Sequence, residues 1–219
     1  MGAIANGSRP SRDVTCWLNW LLSACVAALV AVPGLAAEAP SATLSGQALL
    51  VALRDGGFVL YFRHTSTDFG QNDEQMTGYE DCARQRNLTD RGREEAKRIG
   101  ADIKRLAIPV GDVLASPFCR TMETARLIFG GASATNAVRG GPARPESPER
   151  YAELRKLLST PPPAGVNLVI VSHGNPFAAV AGPPYLAEGE AAVIRPSGSA
   201  GFVIVARVTK DGWAALAVP

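Results

Sequence analysis

Two short apolar runs constrain this chain more than any other feature. Residues 58–62 break off into Arg63-His64 and then the small polar run Thr65-Ser66-Thr67-Asp68. Residues 167–171 break off into Ser172-His173-Gly174-Asn175, and the chain contains no histidine besides these two. Both runs are short and rich in β-branched or aromatic residues, the first entered through Gly56-Gly57, which predicts buried strands. In an open α/β sheet, ligands bind just beyond the carboxyl ends of the strands. The two imidazoles are therefore expected at one sheet edge.

The segments between them read as alternating helices and strands. A short helix starts at Ser45, buries Leu49, Leu50 and Leu53, and ends at Gly56-Gly57. Residues 66–86 have no sustained period and predict a long loop over the strand end, a usual place for binding residues. Thr89 caps a helix whose stripe is Ala96, Ile99, Ile103 and Leu106, stopped at Pro109. A strand at 112–115 runs into Ser116-Pro117-Phe118-Cys119-Arg120, with Pro117 expected in the first turn of the next helix. Residues 130–148 read as a connection without structure of its own, and 149–158 as a helix. After the strand to His173 come a helix from about Pro176 and strands at 191–194, 201–208 and 213–218. Lys210-Asp211-Gly212 is expected as a hairpin turn between the last two. The βαβαβ order predicts an α/β fold of three layers, α/β/α, with a mainly parallel central sheet ending in antiparallel edge strands.

At 219 residues the chain is sized for one domain, and a formal net charge of +2 with dispersed basic residues argues against nucleic acid as a partner. Residues 1–36 differ in kind. Arg9 and Arg12 precede an apolar run at 17–32, followed by Pro33-Gly34-Leu35-Ala36-Ala37, the pattern of a secretory signal peptide. The expected organisation is a signal at 1–36 and a catalytic domain at 37–219. The mature protein is then exported, periplasmic or secreted, without stable membrane insertion after cleavage; an uncleaved anchor is the alternative. Export leaves Cys82 and Cys119 as the mature cysteines, which suggests one disulfide, against the alternative of two buried thiols.

Three strand ends carry chemistry: Arg63-His64, the 116–120 segment, and His173-Gly174-Asn175. Guanidinium forks match phosphate oxygens bidentately, and a neutral imidazole is a competent nucleophile near neutral pH. Together they suit phosphoryl transfer through a phosphohistidine. Singly, each has a structural reading: Arg63 pairing with Asp68 or Asp73, Arg120 with Glu123 or Glu94. No spacing of a metal site is present.

Four motifs in order resemble the histidine phosphatase superfamily, the phosphoglycerate mutase-like fold. They are Leu60-Tyr61-Phe62-Arg63-His64, Leu88-Thr89-Asp90-Arg91-Gly92, Ser116-Pro117-Phe118-Cys119-Arg120-Thr121 with Thr124-Ala125, and Val171-Ser172-His173-Gly174-Asn175. The resemblance implies that His64 is the phosphorylated nucleophile and that Arg63, Arg120 and His173 hold the phosphoryl group, with no metal or cofactor. Asn175 and Thr65 are further candidates for substrate binding. Thr65 stands where the family usually has glycine, and Gly174 where the acid-phosphatase branch has an acid. The proton donor is then expected between Arg120 and His173, at Glu149 or Glu146, with Glu149 preferred and Asp68 and Glu190 as alternatives. The signal peptide and cysteine pair look most like exported bacterial members. The reading is an exported phosphomonoesterase for a small phosphorylated substrate, its oligomeric state left open. A non-catalytic binder of phosphorylated ligands and a phosphotransferase or mutase are the alternatives.

Overall fold

A computed structural model of the protein describes residues 43–141 and 148–217; the signal expected at 1–36 and the candidate Glu146 lie outside the described residues. Among the described residues no helix is long and apolar enough to cross a membrane.

Strand β1 (Val59–Arg63) is central, because it is apolar on both faces and needs cover on each. Leu60 and Phe62 face helices α1 (Gly46–Asp55), α2 (Asp90–Arg105) and α3 (Cys119–Phe129). Val59 and Tyr61 face α4 (Ala152–Ser159) and α5 (Gly174–Ala181). That alternation builds the α/β/α layers, each fully buried large apolar side chain contributing about 1.5–3 kcal/mol. The sheet is completed by β2 (Val110–Ala115), β3 (Ser133–Ala134), β4 (Asn167–Ser172), β5 (Ala191–Pro196) and β6 (Phe202–Val208) in the order β3-β2-β4-β1-β5-β6. The first four in that order are parallel. β5 runs antiparallel to both β1 and β6, so of the antiparallel pair only β6 is an edge. This is a three-layer α/β/α fold with a mainly parallel central sheet.

Helix α2 starts where its cap is. Thr89 Oγ1 accepts the Gly92 amide at 2.9 Å, a contact worth about 1 kcal/mol. Gly92 itself has a steric reason: a Cβ there would stand 2.0 Å from the Ser66 carbonyl oxygen. The helix can thus press against the loop that follows the first histidine.

Several boundaries differ from expectation. Pro117 lies before α3 rather than in its first turn, since Phe118 is extended and takes the cap position. Residues 130–148 are not wholly irregular: β3 pairs beside Leu114 and Ala115, too short to carry a period. The helix expected at 149–158 begins as a 3-10 turn, Pro148–Tyr151, before α4. α5 opens at Gly174, ahead of Pro176, which tolerates the first turn because its missing N–H would have had no helical partner. No strand forms at 213–217, and Lys210-Asp211-Gly212 is not a hairpin. The chain turns there, with Gly212 donating to Thr209 at 2.9 Å, and winds into a 3-10 helix, Ala214–Ala217. Trp213 is buried in the core, stacked on Phe62 at 5.5 Å, and that burial outweighs adding a strand.

Candidate active site

Parallel pairing builds the site. Arg63 of β1 stands beside Ser172 of β4, so the next residues, His64 and His173, leave the sheet side by side. Their ring centroids are 5.5 Å apart, at an interplanar angle of 70°. β2 ends alongside β4 and delivers Ser116, whose Oγ is 2.8 Å from His173 Nε2. The rings are fixed from behind. His64 Nδ1 lies 2.9 Å from the Thr65 carbonyl, which can only accept, so Nδ1 carries the proton and Nε2 keeps its lone pair. Tyr61 donates its hydroxyl to the His173 carbonyl at 2.9 Å. Phe118 sets its ring edge-on to His173 at 5.1 Å. Gly140 leaves room for the imidazole, because a Cβ there would meet His173 Cδ2 at 2.5 Å.

The histidines and three arginines, Arg63, Arg86 and Arg120, line one cleft of about 170 Å³ with Asn175 and Tyr185. Burial, reinforced by the charges of Arg120, Arg63 and Arg86, pushes the His64 imidazole down to about 3. Burial and the neighbouring His64 and arginines likewise lower His173 well below the ordinary histidine value. Both rings are neutral near pH 7, the state a nitrogen nucleophile needs. Each of the three arginines also has a buried Nε without a hydrogen-bond partner. A buried donor left unpaired costs about 1–3 kcal/mol, which an anion in the cleft can recover.

Arg63 reaches the Leu186 carbonyl at 2.8 Å and Glu188 at 3.6 Å, not Asp68 or Asp73. Arg120 is forked onto Asp73, Nη1 to Oδ1 at 2.9 Å and Nη2 to Oδ2 at 3.0 Å, rather than onto Glu123 or Glu94. Asn175 donates its amide to the Gly141 carbonyl at the cleft wall. Cys82 and Cys119 form a disulfide that ties the loop after His64 to the turn holding Arg120.

Other candidates are not brought into the cleft. Thr65 is fully buried and packs its hydroxyl 3.4 Å from that of Thr124. Glu149 is exposed on the 3-10 turn before α4, next to Arg150. Arg150, Arg139, Tyr79 and Phe118 line a wider hollow of about 530 Å³ that shares Arg120 and Gly141 with the cleft. Glu190 is gripped by Arg207 at 2.7 Å, and Asp68 accepts the Gly70 amide at 2.8 Å. Two charged residues at the cleft were missed by sequence reasoning. Arg86 belongs to the loop but is set down by the Thr67–Leu88 bridge, two residues from the recognisable Leu88-Thr89. Glu188 arrives only because β5 runs back beside β1.

Comparison with known proteins bears on this geometry. The sequence pattern of the histidine phosphatase superfamily (branch 1) matches residues 59–140. No curated protein sequence matches the chain. Solved structures similar to it include the protein histidine phosphatase SixA complexed with tungstate, at 16% identity over 70% of this chain and 97% of that one, TM-score 0.49. A mycobacterial glucosyl-3-phosphoglycerate phosphatase is similar at 16% identity over 63% of this chain and 89% of its own, TM-score 0.47. A phosphoserine phosphatase mutant from Entamoeba histolytica, in complex with phosphoserine, is similar at 13% identity over 71% and 98%, TM-score 0.49. The matched segment runs from the strand that ends in Arg63 and His64, through the cap of α2, to the turn that holds Arg120. Over residues 59–140 the chain resembles the histidine phosphatase superfamily (branch 1).

Proposed function

We propose that the chain is an exported phosphomonoesterase that works through a phosphohistidine on His64. The observation that carries this reading is the set of three buried, unpartnered guanidinium Nε atoms on the arginines that line one cleft with two neutral imidazoles. Three fixed donors suit the oxygens of a phosphoryl group, and preorganised donors favour the charge that develops in transfer. His64 Nε2 attacks phosphorus and the ester P–O bond breaks, its electrons leaving with the alcohol oxygen. That oxygen takes a proton from solvent, since Glu149, the donor the sequence favours, is exposed outside the cleft. The phosphorylated ring keeps its proton on Nδ1. Water then attacks phosphorus, the N–P electrons return to Nε2, and the water's proton returns to solvent. Export is supported by the sequence pattern of residues 1–36 and by the disulfide, a bond of oxidising compartments.

Rapid-quench labelling with a phosphorylated substrate tests the mechanism. The wild type should carry acid-labile, base-stable phosphate, and His64→Ala should carry none and release no phosphate. Full turnover in His64→Ala rejects the mechanism. Glu149→Gln should keep most of its rate on an alkyl phosphate. A loss of roughly a hundredfold there, with none on 4-nitrophenyl phosphate, whose leaving group needs no proton, would make Glu149 the donor after all. A second reading, a binder of phosphorylated ligands, is favoured by one observation: among the described residues no carboxylate lines the histidine cleft. Phosphate binding without turnover of either ester selects it.

A further inference from the structure

The cleft concentrates positive charge on the nucleophile. The groups that face His64 are Arg63 from β1, Arg86 from the following loop, Arg120 from the start of α3, and His173 from the end of β4. Two carboxylates stand against them: Asp73, forked onto Arg120, and Glu188. Glu188 Oε1 is 3.6 Å from the Arg63 guanidinium and 3.9 Å from His64 Nδ1, with its side chain 15% exposed. Its carboxylate is aimed, not loose: Thr67 donates its hydroxyl to Oε1 at 2.6 Å and its amide to Oε2 at 3.3 Å. The backbone around it is pinned to the same strand end. Gly189 donates to the His64 carbonyl at 2.9 Å, and Arg63 to the Glu190 carbonyl at 3.0 Å. Glu188 lies at the Nδ1 edge of the ring, whereas phosphorus must approach Nε2, so it is no proton donor to the leaving group.

We propose that Glu188 is a positioning residue and the counter-charge of the nucleophile, balancing Arg63 and the Nδ1 edge of His64. The proposal rests on the phosphohistidine reading. A ring phosphorylated on Nε2 and protonated on Nδ1 carries positive charge, and three guanidiniums oppose that. A carboxylate 3.9 Å from Nδ1 stabilises that charge, and with it the proton that Nδ1 gives to the Thr65 carbonyl, through the life of the intermediate. The imidazole then leaves neutral when water attacks. The same carboxylate tempers Arg63, so that product phosphate is released rather than trapped.

This assigns opposite signs to binding and turnover. Glu188→Gln keeps the size and can still accept from Thr67, but removes the charge. It should bind inorganic phosphate more tightly, by roughly threefold or more from the loss of one nearby like charge, while kcat falls. The alkaline limb of kcat should move acid-ward by about one pH unit, the lower end of what an opposite charge at this distance gives. Glu188→Asp, which keeps the charge, should hold the limb near its wild-type place. Calorimetric titration with phosphate and pH profiles on 4-nitrophenyl phosphate, with folding checked by circular dichroism, read all three effects. Phosphate affinity and kcat falling together would mark a merely structural role, and an unmoved limb with unchanged affinity would remove Glu188 altogether. Both results overturn the proposal while leaving a working wild type. A wild type that neither binds phosphate nor turns over an ester defeats the phosphohistidine reading, and the proposal with it.

Discussion

Two loops bring carboxylates to the arginines of the cleft, and they are held by different means. The loop after His64 carries Asp73 to Arg120 and supplies Arg86. It has no apolar core of its own, and its hold is covalent, through Cys82–Cys119, with polar contacts such as Gln85 Oε1 accepting the Cys119 amide at 2.9 Å. The segment between α5 and β5 carries Glu188 to Arg63 and is held by directed polar bonds, among them Arg63 to the Leu186 carbonyl and Gly189 to that of His64. Arg207 of β6 reaches Glu190 and the carbonyls of Pro184 and Tyr185, all within 3.0 Å. A long polar loop gains little from burial, so a cross-link that restricts its unfolded state is the effective brace. A short segment clamped between a strand end and an arginine needs only a few directed bonds.

The sharpest way to break this contrast is to remove the cross-link. Replacing Cys82 and Cys119 by serine should cost up to roughly 4 kcal/mol, the loop-closure entropy for a separation of 37 residues. Urea denaturation measures it. Turnover should fall as well, because Cys119 precedes Arg120, and unchanged stability and rate would mean the loop is held by its polar contacts alone. Arg207→Gln, on the other side, should cost about 2 kcal/mol, since it leaves Glu190 and two carbonyls without their charged donor. Its activity should drop through Arg63 with the disulfide loop intact. A loss larger than that of the serine pair would invert the comparison.

A third test titrates the ring between the two loops, and its effect builds only as the pH falls. The folded His64 value of about 3 lies below the unfolded value of roughly 6.5, so the unfolded chain binds more protons in that window. Stability should therefore fall as pH drops from 6.5 towards 3, by about 1.4 kcal/mol per unit for this ring. Denaturation at several pH values, with His64→Asn as reference, isolates its share; parallel curves would show that His64 is not buried neutral.

The parts of the site that the sequence made legible are those next to a periodic element. Arg63, His64, Ser116, Arg120 and His173 each end a strand or open a helix, so placing the strands placed them. The Thr89 cap was readable for the same reason. Glu188 was not, because its place depends on Phe62 pairing with Ala191, a contact no local pattern announces. Thr65 was expected to bind substrate from its position beside His64, yet the close packing of α3 draws it to Thr124. Trp213 reads locally as strand, but the hydrophobic gain of filling the space against Phe62 decided otherwise.

The strand order has a consequence for how the protein comes into being. β1 is made early, but its two neighbours, β4 and β5, lie more than a hundred residues further along, with Val59 opposite Leu168 and Ile194. Chains emerge from synthesis amino-terminus first, so the strand that leads into His64 waits for most of the polypeptide before it has a partner on either side. Cys82 and Cys119 both emerge inside that interval. Such non-local closure is slow, and it means the histidine cleft cannot form on a partly made chain. The nascent protein stays chemically silent until its last third has appeared.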